Sequence, residues 1–170
     1  MTVESPVQRV HLTAAAHAVI RQECTRSQDG NETGGILLGH VHHGVAEIRV
    51  AGGPGPTAVR QPAFFLRDLG HAQQLAHDAF TRDGSIWVGE WHTHLAAAPV
   101  PSGRDLATYA RLLADPDLGF ETIVAIIAVA NPKWEQPAAY AWACFGNHAV
   151  AVPLVLVTDD QRPTSTEDHR

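Results

Sequence analysis

"SIWVGEWHTHLAAAPVPSGRDLATYARLLADP", residues 85–116, changes its hydrophobic period part-way along. Residues 85–94 alternate as a half-buried strand does, so Glu90, His92 and His94 fall on one face and Trp91 and Thr93 on the other. From Ser102 the spacing turns helical: Ser102 stands as an N-cap, Asp105 follows three residues later, and Pro116 ends the pattern. Strand, tight loop and helix in that order are the repeating unit of a layered α/β domain.

The flanking sequence extends that reading. Residues 12–27 form a first helix, with Thr13 as its cap and Gly30 beyond its end. Residues 34–53 give two β-rich runs divided by "HHG", a hairpin. The Gly- and Pro-rich residues 51–63 read as a surface loop, "AFFLRD" as a short strand, and residues 71–84 as an amphipathic helix closed by Gly84. "FETIVAIIAVA", residues 120–130, is apolar throughout and is expected to be buried on both faces; "AAYAWACFG" and "HAVAVPLVLV" add two strands. The expectation is one α/β domain over 1–157, a single mixed sheet of roughly six strands flanked by about three helices. A polar, frayed tail over 158–170 follows.

At 170 residues and 45% hydrophobic, the chain has the size and apolar content to bury one core. Eighteen acidic residues outnumber the 12 basic ones, giving a net charge of −6, a balance that does not suggest nucleic acid or an anionic membrane as partner, since both require a basic face; neither is expected. Cys24 and Cys144 form no C-x-x-C pair, so neither a disulfide scaffold nor a zinc knuckle is signalled. The N-terminus lacks the basic and apolar regions of a signal peptide, and the longest apolar run, residues 123–130, is too short to cross a bilayer. A reduced, cytoplasmic location is expected.

His92 and His94, two residues apart on a strand, lie roughly 6 to 7 Å apart at Cα, near enough for both rings to hold one ion. Asp105, in the first turn of the next helix, supplies a carboxylate if the loop folds that turn back over the strand end. Two His and one carboxylate are a common zinc set that leaves a position open for water, whose pKa the metal lowers toward 7. Two acids compete for the role of general base: Glu32 in "NETGG", and Glu90, which shares a face with His92 and could instead orient its ring.

Taken together, Glu32 before a Gly-Gly strand, His92-Thr93-His94, seven residues, Ser102, two residues and Asp105 resemble the signature of the JAMM/MPN+ zinc metalloproteases (JAB, Mov34/MPN/PAD-1), and the chain is similar to their stand-alone prokaryotic type. The order of elements also matches, which implies the MPN, cytidine-deaminase-like layering. The resemblance implies Zn2+ held by His92, His94 and Asp105. It also implies Glu32 as general base to zinc-bound water, and Ser102 as donor to the oxyanion. It further implies cleavage after the C-terminal glycines of a ubiquitin-like or sulfur-carrier protein with a Gly-Gly tail. Relatives without the ligands are non-catalytic MPN-type interaction modules, a reading that the five retained residues oppose. At one position the pattern departs: Leu95 stands where the family has Pro.

Other clusters have plainer readings. His40, His42 and His43 sit at a hairpin tip without a carboxylate or thiol at ligand spacing, Cys24 and Cys144 lie among apolar residues as inert thiols, and Trp91 reads as core. "AGGPGPT" is no phosphate loop, lacking a following Lys-Ser/Thr pair, and is expected to border the substrate groove. A zinc deaminase would need H-x-E and P-C-x-x-C, both absent. An amidohydrolase barrel would need about 250 residues.

Overall fold

The computed structural model describes residues 4–95, 98–130 and 138–158. In chain order it contains β1 (Arg9–Thr13), α1 (Ala14–Arg26), β2 (Gly34–His42), β3 (Val45–Ala51), β4 (Val59–Gln61), β5 (Phe64–Leu66), α2 (Leu69–Asp83) and β6 (Ile86–Leu95). There follow α3 (Gly103–Ala114), β7 (Ile123–Ala130), β8 (Ala138–Phe145), β9 (His148–Val152) and β10 (Leu154–Val157). Eight strands form one mixed sheet in the order β10-β1-β3-β2-β6-β7-β8-β9, and β4 and β5 form a separate two-stranded ribbon. None of the described helices is long and apolar enough to cross a membrane.

The class is the expected one, but the sheet is larger than six strands, for two physical reasons. Arg9–Thr13 is a strand that runs straight into α1, so Thr13 ends β1 and also caps the helix, its hydroxyl accepting from Ala16 N–H at 3.3 Å. The run "HAVAVPLVLV" is two strands, because Pro153 has no N–H for a ladder bond. β9 pairs with β8 at one edge, β10 pairs with β1 at the other, and the single residue Pro153 joins them. The expected tail lies outside the described residues apart from Thr158.

Helices cover both faces. Ala16, Ile20 and Cys24 of α1 pack with Leu37, Trp91, Val124 and Ile126 on one face. Ala72 and Ala79 of α2 pack on Ile36 and Leu38, and Tyr109 of α3 on Ile123 and Ala125, on the other. Alternation along β2 and β7 therefore splits neighbouring residues between two cores, and β7 is buried on both sides, as its apolar sequence requires.

β6 is the central strand and carries one irregularity. Leu37 pairs with Gly89 but Leu38 pairs with Trp87, leaving Val88 as an extra residue in a bulge. The bulge changes the parity of the strand: Val88 and Trp91 lie in the α1 core, whereas Trp87 lies with the α2 core. Trp87 consequently shares its face with Glu90, His92 and His94.

A side chain at Gly89 would collide with the backbone carbonyl of Val124 on β7, where nothing flexible can yield. Gly89→Ala is expected to cost on the order of 3 kcal/mol and to lower the Tm by roughly 10 °C. Gly103→Ala, whose added carbon meets open space, should leave the Tm unchanged. Equal melting curves for the two variants in calorimetry would contradict the close β6–β7 approach.

Candidate metal centre

β2 runs antiparallel to β6 with Gly34 opposite His92. The pairing continues one step further, since Thr93 N–H donates to Thr33 O at 2.8 Å and Thr33 N–H donates to the Thr93 hydroxyl at 2.9 Å. Carrying the register on sets Glu32 opposite His94, on the same face, because directly opposed residues in an antiparallel pair share a face. Glu32 thus reaches the two imidazoles although some 60 residues separate β2 from this part of β6.

Asp105 arrives from the other side. Ser102 caps α3: its hydroxyl accepts from Asp105 N–H at 3.2 Å, while Ser102 N–H donates to Asp105 Oδ2 at 2.7 Å, a capping box. That box aims the carboxylate back at β6. His92 Nε2 and His94 Nε2 lie 3.0 Å apart, and Asp105 Oδ2 is 3.4 Å from each. Ligands held tetrahedrally at 2.0–2.1 Å from one zinc ion would stand about 3.3 Å from each other, so the donor atoms already have the spacing of a shared ion. The two rings are only 8% and 6% exposed. His94 Nδ1–H donates to Ala98 O at 3.0 Å, so that loss of the second ring proton would free the Nε2 lone pair for a ligand. Among the described residues this is the one cluster whose ligand atoms so converge.

The electrostatics are those of a compact acid–imidazole cluster. Burial pushes the Asp105 carboxyl up, but hydrogen bonds from His92 and His94 outweigh it and hold the group well below the usual carboxylate range. The hydrogen bond to Asp105 raises His94 against the effect of burial. Glu32 is raised by burial, opposed by the nearby imidazoles, so its affinity for a proton exceeds that of an exposed Glu.

A groove of about 370 Å³ opens over the cluster. Glu32, His92, His94, Ser102 and Asp105 all line it. One wall is the β5 ribbon with Phe64, Phe65 and Leu66; the other is α3, where Arg104, Thr108 and Arg111 recur at helical spacing. Arg104 spans the walls, donating to Ala63 O at 2.9 Å with its guanidinium 5.5 Å from the Phe64 ring centroid. The helical spacing of Arg104, Thr108 and Arg111 is visible in the sequence; the aromatic wall gave no such signal, since a three-residue strand has no periodicity to read.

Three expectations are settled differently or more sharply here. Glu90 does not orient a histidine: its carboxylate is paired with Arg67, whose guanidinium lies 5.0 Å from the Trp87 ring. The bulge explains this, because it brings Trp87 and Glu90 to one face where Arg67 covers both. The loop "AGGPGPT" does not line the groove; its Gly52 carbonyl accepts from the Trp91 indole N–H at 2.8 Å on the opposite side of β6. Trp91 is core, fully buried. With Leu95 in place of Pro, the connection to α3 is held by the His94–Ala98 bond and by Trp142 Nε1–H donating to Pro99 O at 2.9 Å.

Of the other histidines and thiols singled out above, His40 departs from its reading, lying half-buried within β2 opposite Glu47, and the rest follow theirs. His42 and His43 are exposed at a hairpin tip, where His43 and Gly44 adopt φ of 50° and 76°. Cys24 and Cys144 are buried, and burial pushes both thiols up to about 12.

Residues 13–144 match the model of a family described as prokaryotic homologs of the JAB domain. A protein of Enterobacter hormaechei subsp. hoffmannii named CD-NTase/cGAS isopeptidase is 30% identical over 134 residues, covering 75% of this chain and 71% of that protein. A protein of the same name from Pseudomonas aeruginosa is 35% identical over 107 residues, covering 62% of this chain and 68% of its own length. The solution structure of a Desulfitobacterium hafniense protein superposes with a TM-score of 0.64 at 19% identity, over 88% of this chain and 94% of that one, a likeness of fold.

The spacing of the three donor atoms makes metal binding directly testable. The chain is expected to retain one equivalent of a divalent transition metal after desalting. Asp105→Asn keeps an acceptor for the α3 cap but removes the charge, and should weaken affinity by more than the roughly 10- to 100-fold that loss of an outer partner costs. Glu90→Gln should retain the metal. Elemental analysis reads both, and stoichiometric metal in Asp105→Asn would remove the aspartate from the ligand set.

Proposed function

The chain belongs to the prokaryotic JAB-domain family, and from that membership we propose that it is a zinc-dependent isopeptidase acting after the C-terminal glycines of a ubiquitin-like or sulfur-carrier protein. The observation that carries the proposal is the convergence of His92 Nε2, His94 Nε2 and Asp105 Oδ2 within 3.4 Å of each other, at the floor of a groove that Glu32 and Ser102 also line. The name borne by the Enterobacter and Pseudomonas relatives supports an isopeptide bond over an ordinary peptide bond as the target.

The residues divide the work. His92, His94 and Asp105 hold the ion, and bound there zinc supplies Lewis acidity that makes water nucleophilic near neutral pH and polarises the scissile carbonyl. Glu32 takes a proton from the attacking water and passes it to the leaving amine as the C–N bond breaks, so one carboxylate acts first as base and then as acid. Ser102 accepts from Asp105 N–H through its oxygen, which leaves its hydroxyl proton free to donate to the oxyanion. Arg104 tied to Ala63 and Phe64 narrows the groove between ribbon and helix. A narrowed groove favours an extended tail of small residues such as Gly-Gly.

The test is turnover of a ubiquitin-like protein joined through its Gly-Gly tail to a lysine ε-amine. Glu32→Gln preserves shape but cannot accept the proton, and is expected to keep its zinc while losing on the order of 10²- to 10⁴-fold in kcat. Ser102→Ala as a lost cap alone would cost about 1 kcal/mol of stability. As a lost oxyanion donor it should cost on the order of 100-fold or more in kcat. A kcat for Ser102→Ala within a few-fold of the parent protein rejects the oxyanion role. Zinc-loaded parent protein that turns over no Gly-Gly-tailed conjugate would return the chain to the interaction-module reading.

A further inference from the structure

Glu32 stands in the segment before β2, outside any strand, yet a general base must be held to within about 0.5 Å of its working position. The β6 side of this segment is secured through Thr33, as described above. The opposite side is secured by β4. Glu32 N–H donates to Gln61 O at 2.9 Å, and Arg60 Nε donates to Glu32 O at 3.1 Å. The same guanidinium donates to Asn31 O at 3.3 Å and, through Nη1 and Nη2, to both carboxylate oxygens of Asp29 at 3.0 Å each. One planar group therefore grips residues 29, 31 and 32 together, and both backbone polar groups of Glu32 are taken up by adjacent residues of β4.

We propose that Arg60 is a positioning residue for the reaction: fixed by Asp29, it clamps the backbone of Glu32 so that the carboxylate stands over the His92, His94 and Asp105 cluster. The proposal rests on Glu32 being the general base. Arg60 does not line the groove, so it acts on the reaction through Glu32 and not on substrate. Lys could not replace it, because a point charge on a flexible stem cannot bond Asp29 bidentately and reach the Glu32 carbonyl at once. The clamp also joins two functions in space: β4 pairs with β5, whose Phe64–Leu66 wall faces the groove, so the wall and the base are parts of one hydrogen-bonded unit.

The experiment uses the zinc-loaded full chain with Arg60→Met, Arg60→Lys and Asp29→Asn. A misplacement of about 1 Å can cost on the order of 10²-fold, so Arg60→Met is expected to lower kcat roughly 10- to 100-fold with KM within a few-fold and zinc content unchanged. Arg60→Lys should recover little, and Asp29→Asn, which loosens the guanidinium without touching the Glu32 backbone, should fall between. Hydrogen exchange supplies a readout independent of activity: the Glu32 amide should exchange faster in Arg60→Met while the His92–His94 amides stay protected. Combined with Glu32→Gln, Arg60→Met should add no further loss, since both changes act on one group.

Three outcomes overturn the inference. These are an Arg60→Met kcat within two-fold of the parent, an unchanged Glu32 amide, and a full additional loss in the Glu32→Gln background, the last of which would place the action of Arg60 elsewhere. Should Arg60→Met fail to fold, Asp29→Asn carries the kinetic and exchange tests. Failure of the general-base reading is recognised separately, by a Glu32→Gln variant that keeps its kcat.

Discussion

Thr93 lies between the two histidines and points away from them, and the site depends on what it does on the other face. Strand alternation forbids it from joining the cluster. Its backbone N–H and its hydroxyl instead bind the backbone C=O and N–H of Thr33, at 2.8 and 2.9 Å, and so set where the residue before Thr33 must stand. Two consecutive features of one strand thereby do separate jobs: the outward histidines gather donor atoms, and the inward threonine brings Glu32 to them. The bond is buried, with Thr93 2% exposed, so water does not compete for it and a missing partner would leave a desolvated polar group at a cost of about 1–3 kcal/mol.

Around that rung the fold supplies stiffness from every direction. β7 packs against β6 with Gly89 at the closest approach, Trp91 anchors the back of the strand to Gly52, and Trp142 holds the loop that leads to α3. α3 begins at the groove because its capping box needs Asp105 where it is; one carboxylate both closes the helix and faces the imidazoles. A helix start contributes oriented N–H groups and favours negative charge in its first turn, which is consistent with an aspartate at that position.

The parts legible in the sequence were those with local spacing. His92, His94, Ser102 and Asp105 fall within one strand–loop–helix unit, and Glu32 was marked by the Gly-Gly run that follows it. The three helices and most strands also declared themselves through periodicity and caps. The features without such local spacing depend on pairings remote in sequence. Arg60 meets Asp29 across 31 residues and Arg67 meets Glu90 across 23, and neither arginine has a local pattern that names its partner. Glu90 was expected to orient a histidine because the bulge at Val88 was invisible, and only the bulge sets Arg67 between Trp87 and Glu90. Strand β1 was hidden by the Ala-rich helix that begins at its last residue, and Pro153 concealed a break by sitting in an otherwise uniform apolar run.

The Thr33–Thr93 rung also joins parts of the chain that are made far apart. The 60-residue separation makes it a contact of long range, and closing a loop of that length costs entropy that the bonds across the pairing must offset. Until β2 is laid against β6, Glu32 is a side chain on a free segment and His92, His94 and Asp105 belong to a different part of the chain. During synthesis Glu32 leaves the ribosome well before the histidines do, so an incomplete chain carries the acid without the imidazoles. Assembly of the centre is thereby tied to completion of the sheet, because only the β2–β6 pairing brings the acid and the imidazoles to one place.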